Sequence, residues 1–113
     1  MKKSLFTLVF GLLISVTAVA QSNLEKHVEK STDIKIERIE ASLKFQNDEE
    51  KEKFATLTKE QLTRHFNIGK KYKKSDPEMC KQKRRDNNKQ YNKELQEAFG
   101  TERAKALLQA SKK

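Results

Sequence analysis

The sequence predicts an all-α protein of about four helices, and three observations support this class. Apolar residues recur at helical intervals, as at Ile36, Ile39 and Leu43. Side chains that favour helix starts precede the strongest of these segments. The 113 residues include only one proline and three glycines, so little interrupts long helices from within. We expect the helices to form an extended hairpin or cradle that is dimeric.

The first 20 residues resemble a secretory signal peptide. Lys2 and Lys3 supply the positive start, an apolar run follows from Leu5 to Val16, and Ala18-Val19-Ala20 fits the small-x-small cleavage rule. The apolar run is short for a membrane span. We therefore predict cleavage before Gln21 and a periplasmic or secreted mature protein.

The remaining chain is predicted to comprise a flexible leader, residues 21–31, and one helical domain, residues 32–113. It contains 16 Leu, Ile, Val and Phe residues, about 17% of its length. Such a low share makes a compact core within one subunit doubtful. We expect a second subunit to cover the apolar stripes.

The first two predicted helices follow the leader. The spacing of Ile36, Ile39 and Leu43 favours a short helix from about Thr32 to Lys44. A long helix should then begin at Asn47, which can act as the N-cap, and run to about Lys74. Acidic residues at its start and lysines at its end suit the helix dipole.

The last two helices are marked by their starts. Either Ser75 with Glu78 forms a capping box, or Asp76 caps a helix that begins with Pro77, and both alternatives give a helix to about Phe99. Residues 81–90 of this helix include no apolar residue: the stripe projected back from Tyr91 falls on Asn88, Asn87 and Arg84, which cannot form a dry core. Gly100 should end this helix and Thr101 should cap the last.

Charge is distributed unevenly along the chain. Residues 21–63 contain 8 basic and 10 acidic side chains, whereas residues 64–113 contain 15 basic and 6 acidic ones. The basic half therefore indicates either a solvated surface that maintains solubility or a surface that binds an anionic partner. Aromatic residues are sparse within it, so we do not expect nucleic-acid binding.

Residues for catalysis or metal binding are not arranged in recognisable motifs. The two histidines, His27 and His65, have no His or Cys ligand three or four residues away, so neither a metal nor a cofactor is expected. Cys80 is either a small semi-buried apolar residue beside Met79 or a partner in an intermolecular disulfide. We expect no enzymatic activity.

Residues 57–61 read Leu-Thr-Lys-Glu-Gln, which matches the LTxxQ motif of the Spy/CpxP family of small periplasmic helical proteins. The chain resembles this family from about Arg38 to Ala110. A second register is open, in which the family's two motifs fall at Asn47–Glu50 and Gly100–Arg103, and the two registers exclude each other.

The resemblance implies a curved helical dimer that acts as an ATP-independent chaperone or as an inhibitory adaptor of an envelope-stress sensor. By position it implies a client or partner surface at Lys70, Lys71, Tyr72, Lys73, Lys74, Met79, Lys83, Arg84 and Arg85. The residues assigned to the core or dimer interface are Phe54, Leu57, Leu62, Phe66, Tyr91, Leu95 and Phe99.

Three functions follow as expectations. The first is a periplasmic chaperone-like protein that binds unfolded or acidic polypeptides through its basic surface. The second is an adaptor that docks on an envelope sensor. The third is a secreted helical protein without a client surface. Weak contact with an anionic membrane surface is compatible with the first two.

Overall fold

Four helices form the part of the chain that the computed structural model describes, residues 18–112. They are α1 (Ala18–Ser42), α2 (Asp48–Tyr72), α3 (Pro77–Phe99) and α4 (Thr101–Ser111). These residues contain no strand, so the predicted all-α class and the number of helices are confirmed. None of the described helices has the length and apolar character that crossing a bilayer requires.

The first helix differs from its prediction at its start. It is helical from Ala18, through the segment predicted as a leader, and therefore begins well before Thr32. Burial accompanies the extension: Val28 is buried and Thr32 is fully buried, and the Thr32 hydroxyl donates to the Val28 carbonyl of the same helix at 2.8 Å. Of the predicted signal peptide, residues 1–17 lie outside the described residues.

The boundaries of α2 and α3 agree with the sequence. The Asn47 side chain accepts the Glu50 amide at 2.8 Å, which confirms the predicted cap of α2. Asp76 accepts the Met79 amide at 3.1 Å and Pro77 follows it, which decides between the two alternatives for α3.

The predicted cap of α4 is wrong. Thr101 is already the first helical residue, and the N-cap is Gly100, which has no side chain to accept a bond. Gly100 has a φ of 87° and serves both helices: its amide donates to the Gln96 carbonyl, while its own carbonyl accepts the Ala104 amide. A glycine adopts this φ without steric cost.

The helices enclose one apolar core within a single chain. Helices α1 and α3 each pack against both α2 and α4. The buried members of the core come from all four helices: Ile39, Phe54, Leu57, Tyr91, Leu95, Ala104, Leu107 and Ala110. Composition makes a compact core within one subunit doubtful, but the four helices bury these eight residues in a single chain, and α4 supplies three of them.

A charged cluster, which we call the Glu50 junction, holds three segments together above this core. Arg103 of α4 donates from Nε to Glu50 Oε2 at 3.0 Å and from Nη2 to Glu50 Oε1 at 2.7 Å. The same Nη2 donates to the carbonyl of Lys44, in the α1–α2 loop, at 2.9 Å. Glu50 also accepts the Gln46 amide at 3.0 Å. Its side chain is only 6% exposed, so water competes little for these bonds.

The Glu50 junction predicts acid sensitivity. The bonds from Arg103, and secondarily from the Gln46 amide, hold the pKa of the Glu50 carboxyl below its ordinary value despite burial. The stabilisation is therefore complete above the unfolded pKa of about 4.3 and is lost as pH falls through the lower folded pKa. We expect Glu50→Gln to lower the free energy of unfolding by about 1.5–3 kcal/mol at pH 7, and by much less at pH 3.

Urea unfolding at both pH values measures this gap. Glu49→Gln is the matched control, because it removes the same charge from an exposed neighbour and should stay near the wild type. An equal loss in Glu50→Gln at both pH values would show that the carboxylate charge does not stabilise the fold.

Candidate functional site

The turn between α2 and α3 brings together two basic runs of the sequence, residues 70–74 and residues 83–85. The Lys73 amide bonds to the Gly69 carbonyl at 2.9 Å and the Asp76 amide to the Tyr72 carbonyl at 2.8 Å, so the helix is followed at once by a tight turn. Because Asp76 and Pro77 start α3 directly, the end of α2 and the start of α3 are neighbours in space.

Six of the predicted site residues are exposed cations around this turn, and we call them the basic tip. None takes part in an ion pair within residues 18–112. Their charges are therefore available to an anionic partner and raise the local potential. The basic tip consists of Lys70, Lys71, Lys73, Lys74, Lys83 and Arg85.

Two apolar side chains of the predicted site accompany the basic tip. Tyr72 is half-buried, and the Lys71 ammonium lies 5.3 Å from the centre of its ring. Met79 is also half-buried and lines an open groove along α3 with Arg85 and other polar side chains. The site thus combines charge with limited apolar surface, as binding of a polypeptide requires.

Arg84 is placed differently from the other predicted site residues. Its guanidinium packs against Gly69, in the space that a Cβ atom would occupy, and donates to the His65 carbonyl at 3.4 Å. Its Nε is buried and has no partner within the described residues. Arg84 therefore contributes to packing between α2 and α3, and only the part of its side chain left exposed can contribute to binding.

Polar side chains continue from Arg84 along the contact between α2 and α3, and we call this contact the polar seam. Asn87 is buried; it donates to the Gln61 carbonyl at 2.9 Å and accepts from Arg64 Nε at 2.6 Å. Gln61 Nε2 donates to Asn88 at 3.1 Å. The stripe that could not form a dry core is thus matched by polar groups of α2.

The polar seam ends at the apolar core. Arg64 also pairs with Glu94 at 3.2 Å, and the hydroxyls of Thr58 and Tyr91 lie 2.7 Å apart. Burial raises the pKa of the Tyr91 phenol, and the bond to Thr58 opposes this shift. The sequence does not point to Arg64, Gln61 and Glu94, because each is an ordinary polar residue in its own helix. Their contribution comes from bonds to the facing helix.

The residues predicted for the core or a dimer interface divide into two groups. Phe54, Leu57, Tyr91 and Leu95 are buried in the core of the single chain, and Phe99 packs against it. The other two, Leu62 and Phe66, are half-buried outside this core, and the Phe66 ring meets the His27 ring edge-on with centroids 4.9 Å apart.

Cys80 and the histidines are not assembled into a reactive or metal-binding site. Cys80 is a free thiol, 5% exposed, as expected of a small apolar residue. Within the described ranges, no group of three or more His, Cys, Asp or Glu residues could hold a metal ion.

The environment of His65 gives a testable property of the packing of Arg84. Burial lowers the pKa of the His65 imidazole, and the charge of Arg84 lowers it further. We expect Arg84→Met, which keeps an apolar stem without the charge, to raise this pKa. NMR titration of the His65 ring measures it, and Arg85→Met is the control, since Arg85 lies exposed on the same helix. An unchanged pKa in Arg84→Met would contradict the contact.

The chain was compared with protein-family models, with curated proteins and with solved structures, and none of the three comparisons found a match.

Proposed function

We propose that this protein is a periplasmic, ATP-independent chaperone-like protein that binds unfolded or acidic polypeptides at the basic tip. The observation that carries the proposal is the concentration of six exposed, unpaired cations around one turn, next to the half-buried Tyr72 and Met79. The resemblance of residues 57–61 to the LTxxQ motif of the Spy/CpxP family supports the same function.

The physical mechanism has two parts. The clustered positive charge attracts an acidic segment over a distance of about 8 Å at physiological ionic strength and speeds encounter. The apolar parts of Tyr72 and Met79 and the lysine stems then make short-range contacts, which hold the segment weakly. Weak, rapidly reversible binding suits a chaperone, because a released chain can fold.

The proposed compartment rests on the amino-terminal sequence. The positive start, the apolar run and the Ala18-Val19-Ala20 site support export and processing before Gln21. An envelope sensor with an acidic docking face is the alternative partner for the same surface.

We expect neutralising four of the six cations of the basic tip to abolish most of this activity. In the variant Lys70, Lys71, Lys73 and Lys74→Gln, suppression of aggregation of a chemically denatured acidic protein should fall at least about fivefold, because the attractive field is lost. Helix content should stay close to the wild type, and the free energy of unfolding should change by less than about 1 kcal/mol. Light scattering and circular dichroism measure the two effects.

A matched control separates the site from total charge. Changing Lys26, Lys30, Lys59 and Lys105 to Gln removes the same four charges from exposed positions elsewhere, and it should leave suppression close to the wild type. Equal losses of aggregation suppression in both variants would show that suppression depends only on the net charge of the protein. Full suppression of aggregation by the tip variant would exclude the basic tip as the binding site. The adaptor function would be favoured if the wild type does not suppress aggregation but retains envelope proteins that the tip variant does not retain.

We also propose that the protein forms a homodimer, as the family resemblance implies. Phe54, Leu57, Tyr91 and Leu95 are satisfied within one chain, so this proposal rests on Leu62, Phe66 and the exposed Ile34. Sedimentation of the mature chain with Cys80→Ser should show a dimer at micromolar concentration, and Phe66→Ser should weaken it about tenfold. A monomer at these concentrations would exclude the dimeric cradle.

A further inference from the structure

Apolar burial is concentrated at one end of the molecule. The buried core cluster contains no residue between Leu57 and Tyr91 in the chain. Among the described residues, the only buried apolar side chains outside this cluster are Val28 and Cys80. The half of the α2–α3 pair that carries the basic tip therefore has little apolar burial to stabilise it.

Hydrogen bonds join α2 and α3 in that half, and water can replace most of them. The bonds of Gln61, Arg64 and Asn87 contribute modestly in net terms, because the same groups bond to water when the helices separate. The buried Nε of Arg84 has no partner among residues 18–112, which is a cost that opening removes. Like charges on both sides of the turn repel and also favour opening.

From these features we propose that residues 62–88, which we call the tip segment, open locally while the apolar core stays folded. The end of α2 and the start of α3 are joined by the short turn, so opening means loss of helix–helix packing and fraying of these helix turns together. The Glu50 junction and the core keep the remaining parts of α1, α2, α3 and α4 in place.

Opening also completes the client surface, a step that rests on the proposed function. Apart from Leu62 and Phe66, which the proposed dimer would cover, the tip segment contains apolar side chains that are half-buried when it is closed: Ile68, Tyr72 and Met79. Once open, it offers these side chains together with the cations of the basic tip. The partner it fits is an extended polypeptide segment that carries both acidic and apolar residues.

Cys80 provides a reporter of this opening, since it is the only cysteine and its thiol is 5% exposed in the closed tip segment. We expect the uncharged disulfide 4,4′-dithiodipyridine to label it through local opening. The logarithm of the labelling rate should then rise linearly with urea concentration. Its slope should be at most about a third of the slope expected for global unfolding, because local opening exposes less surface. A slope equal to that of global unfolding would overturn the proposal, and so would labelling as fast as that of the unfolded chain.

Two mild variants repeat the test without urea. Asn87→Ala removes two bonds of the polar seam and should speed labelling about tenfold. Ala104→Gly weakens α4 at a core position and lowers global stability, yet it should change labelling by less than about twofold. Equal acceleration in both variants would show that Cys80 is reached only by global unfolding.

A closing variant tests the link to clients. Gln61→Leu together with Asn88→Leu replaces a polar pair of the seam with an apolar one and should slow labelling about tenfold. If opening serves binding, suppression of aggregation should fall in the same variant although the basic tip is intact. If labelling slows but aggregation is still fully suppressed, opening is not needed for client binding. If labelling is not slowed, the polar seam does not control opening. Full suppression of aggregation by the basic tip variant would instead remove the proposed function and leave the labelling results standing.

Discussion

The bonds between Arg103 and Glu50 determine how the four helices come together. They join residues 53 positions apart in the chain and include the carbonyl of Lys44, whose φ of 68° places it in the left-handed region. A non-glycine residue occupies this region at a cost, so a surrounding structure must hold it there. The junction fixes the α1–α2 loop, the start of α2 and the start of α4 at one level. Phe54 and Leu107 of the apolar core follow Glu50 and Arg103 by four residues each, so the core begins about one helical turn from the junction.

The molecule is divided by chemistry into two ends. At one end, apolar side chains from four helices exclude water beneath a charged junction. At the other end, polar groups join α2 to α3 and like charges surround the turn. Because the apolar end stabilises the fold, the basic end can contain destabilising features. Examples are the packed guanidinium of Arg84 and the lysines that form no ion pair within residues 18–112. If the basic tip binds clients as proposed, binding and stability rest on different residues of one small domain.

Much of the helical layout can be predicted from sequence because the responsible signals are local. Asn47 before an acidic turn and Asp76 before Pro77 define α2 and α3 within a few residues. The start of α1 escapes such reasoning, because the burial of Val28 and Thr32 is not marked by an amphipathic pattern in the sequence. Gly100 replaces Thr101 as the cap since one residue both ends α3 and begins α4.

The candidate site is predictable to a similar depth. The lysines around the turn are found by counting charge, but Arg84 reads as one more surface cation until Gly69 is seen to make room for it.

The single residue between α3 and α4 limits how the chain length can vary in evolution. An inserted residue at Gly100 would turn every side chain of α4 by about 100° about its axis relative to α3. Ala104 and Leu107 would leave the core, and Arg103 would leave the carboxylate it pairs with. The turn at residues 73–76 carries no such constraint, because its side chains are exposed. Related chains should therefore keep one length at Gly100 and differ in length between α2 and α3, so new binding properties can arise by insertion at the tip without disturbing the core.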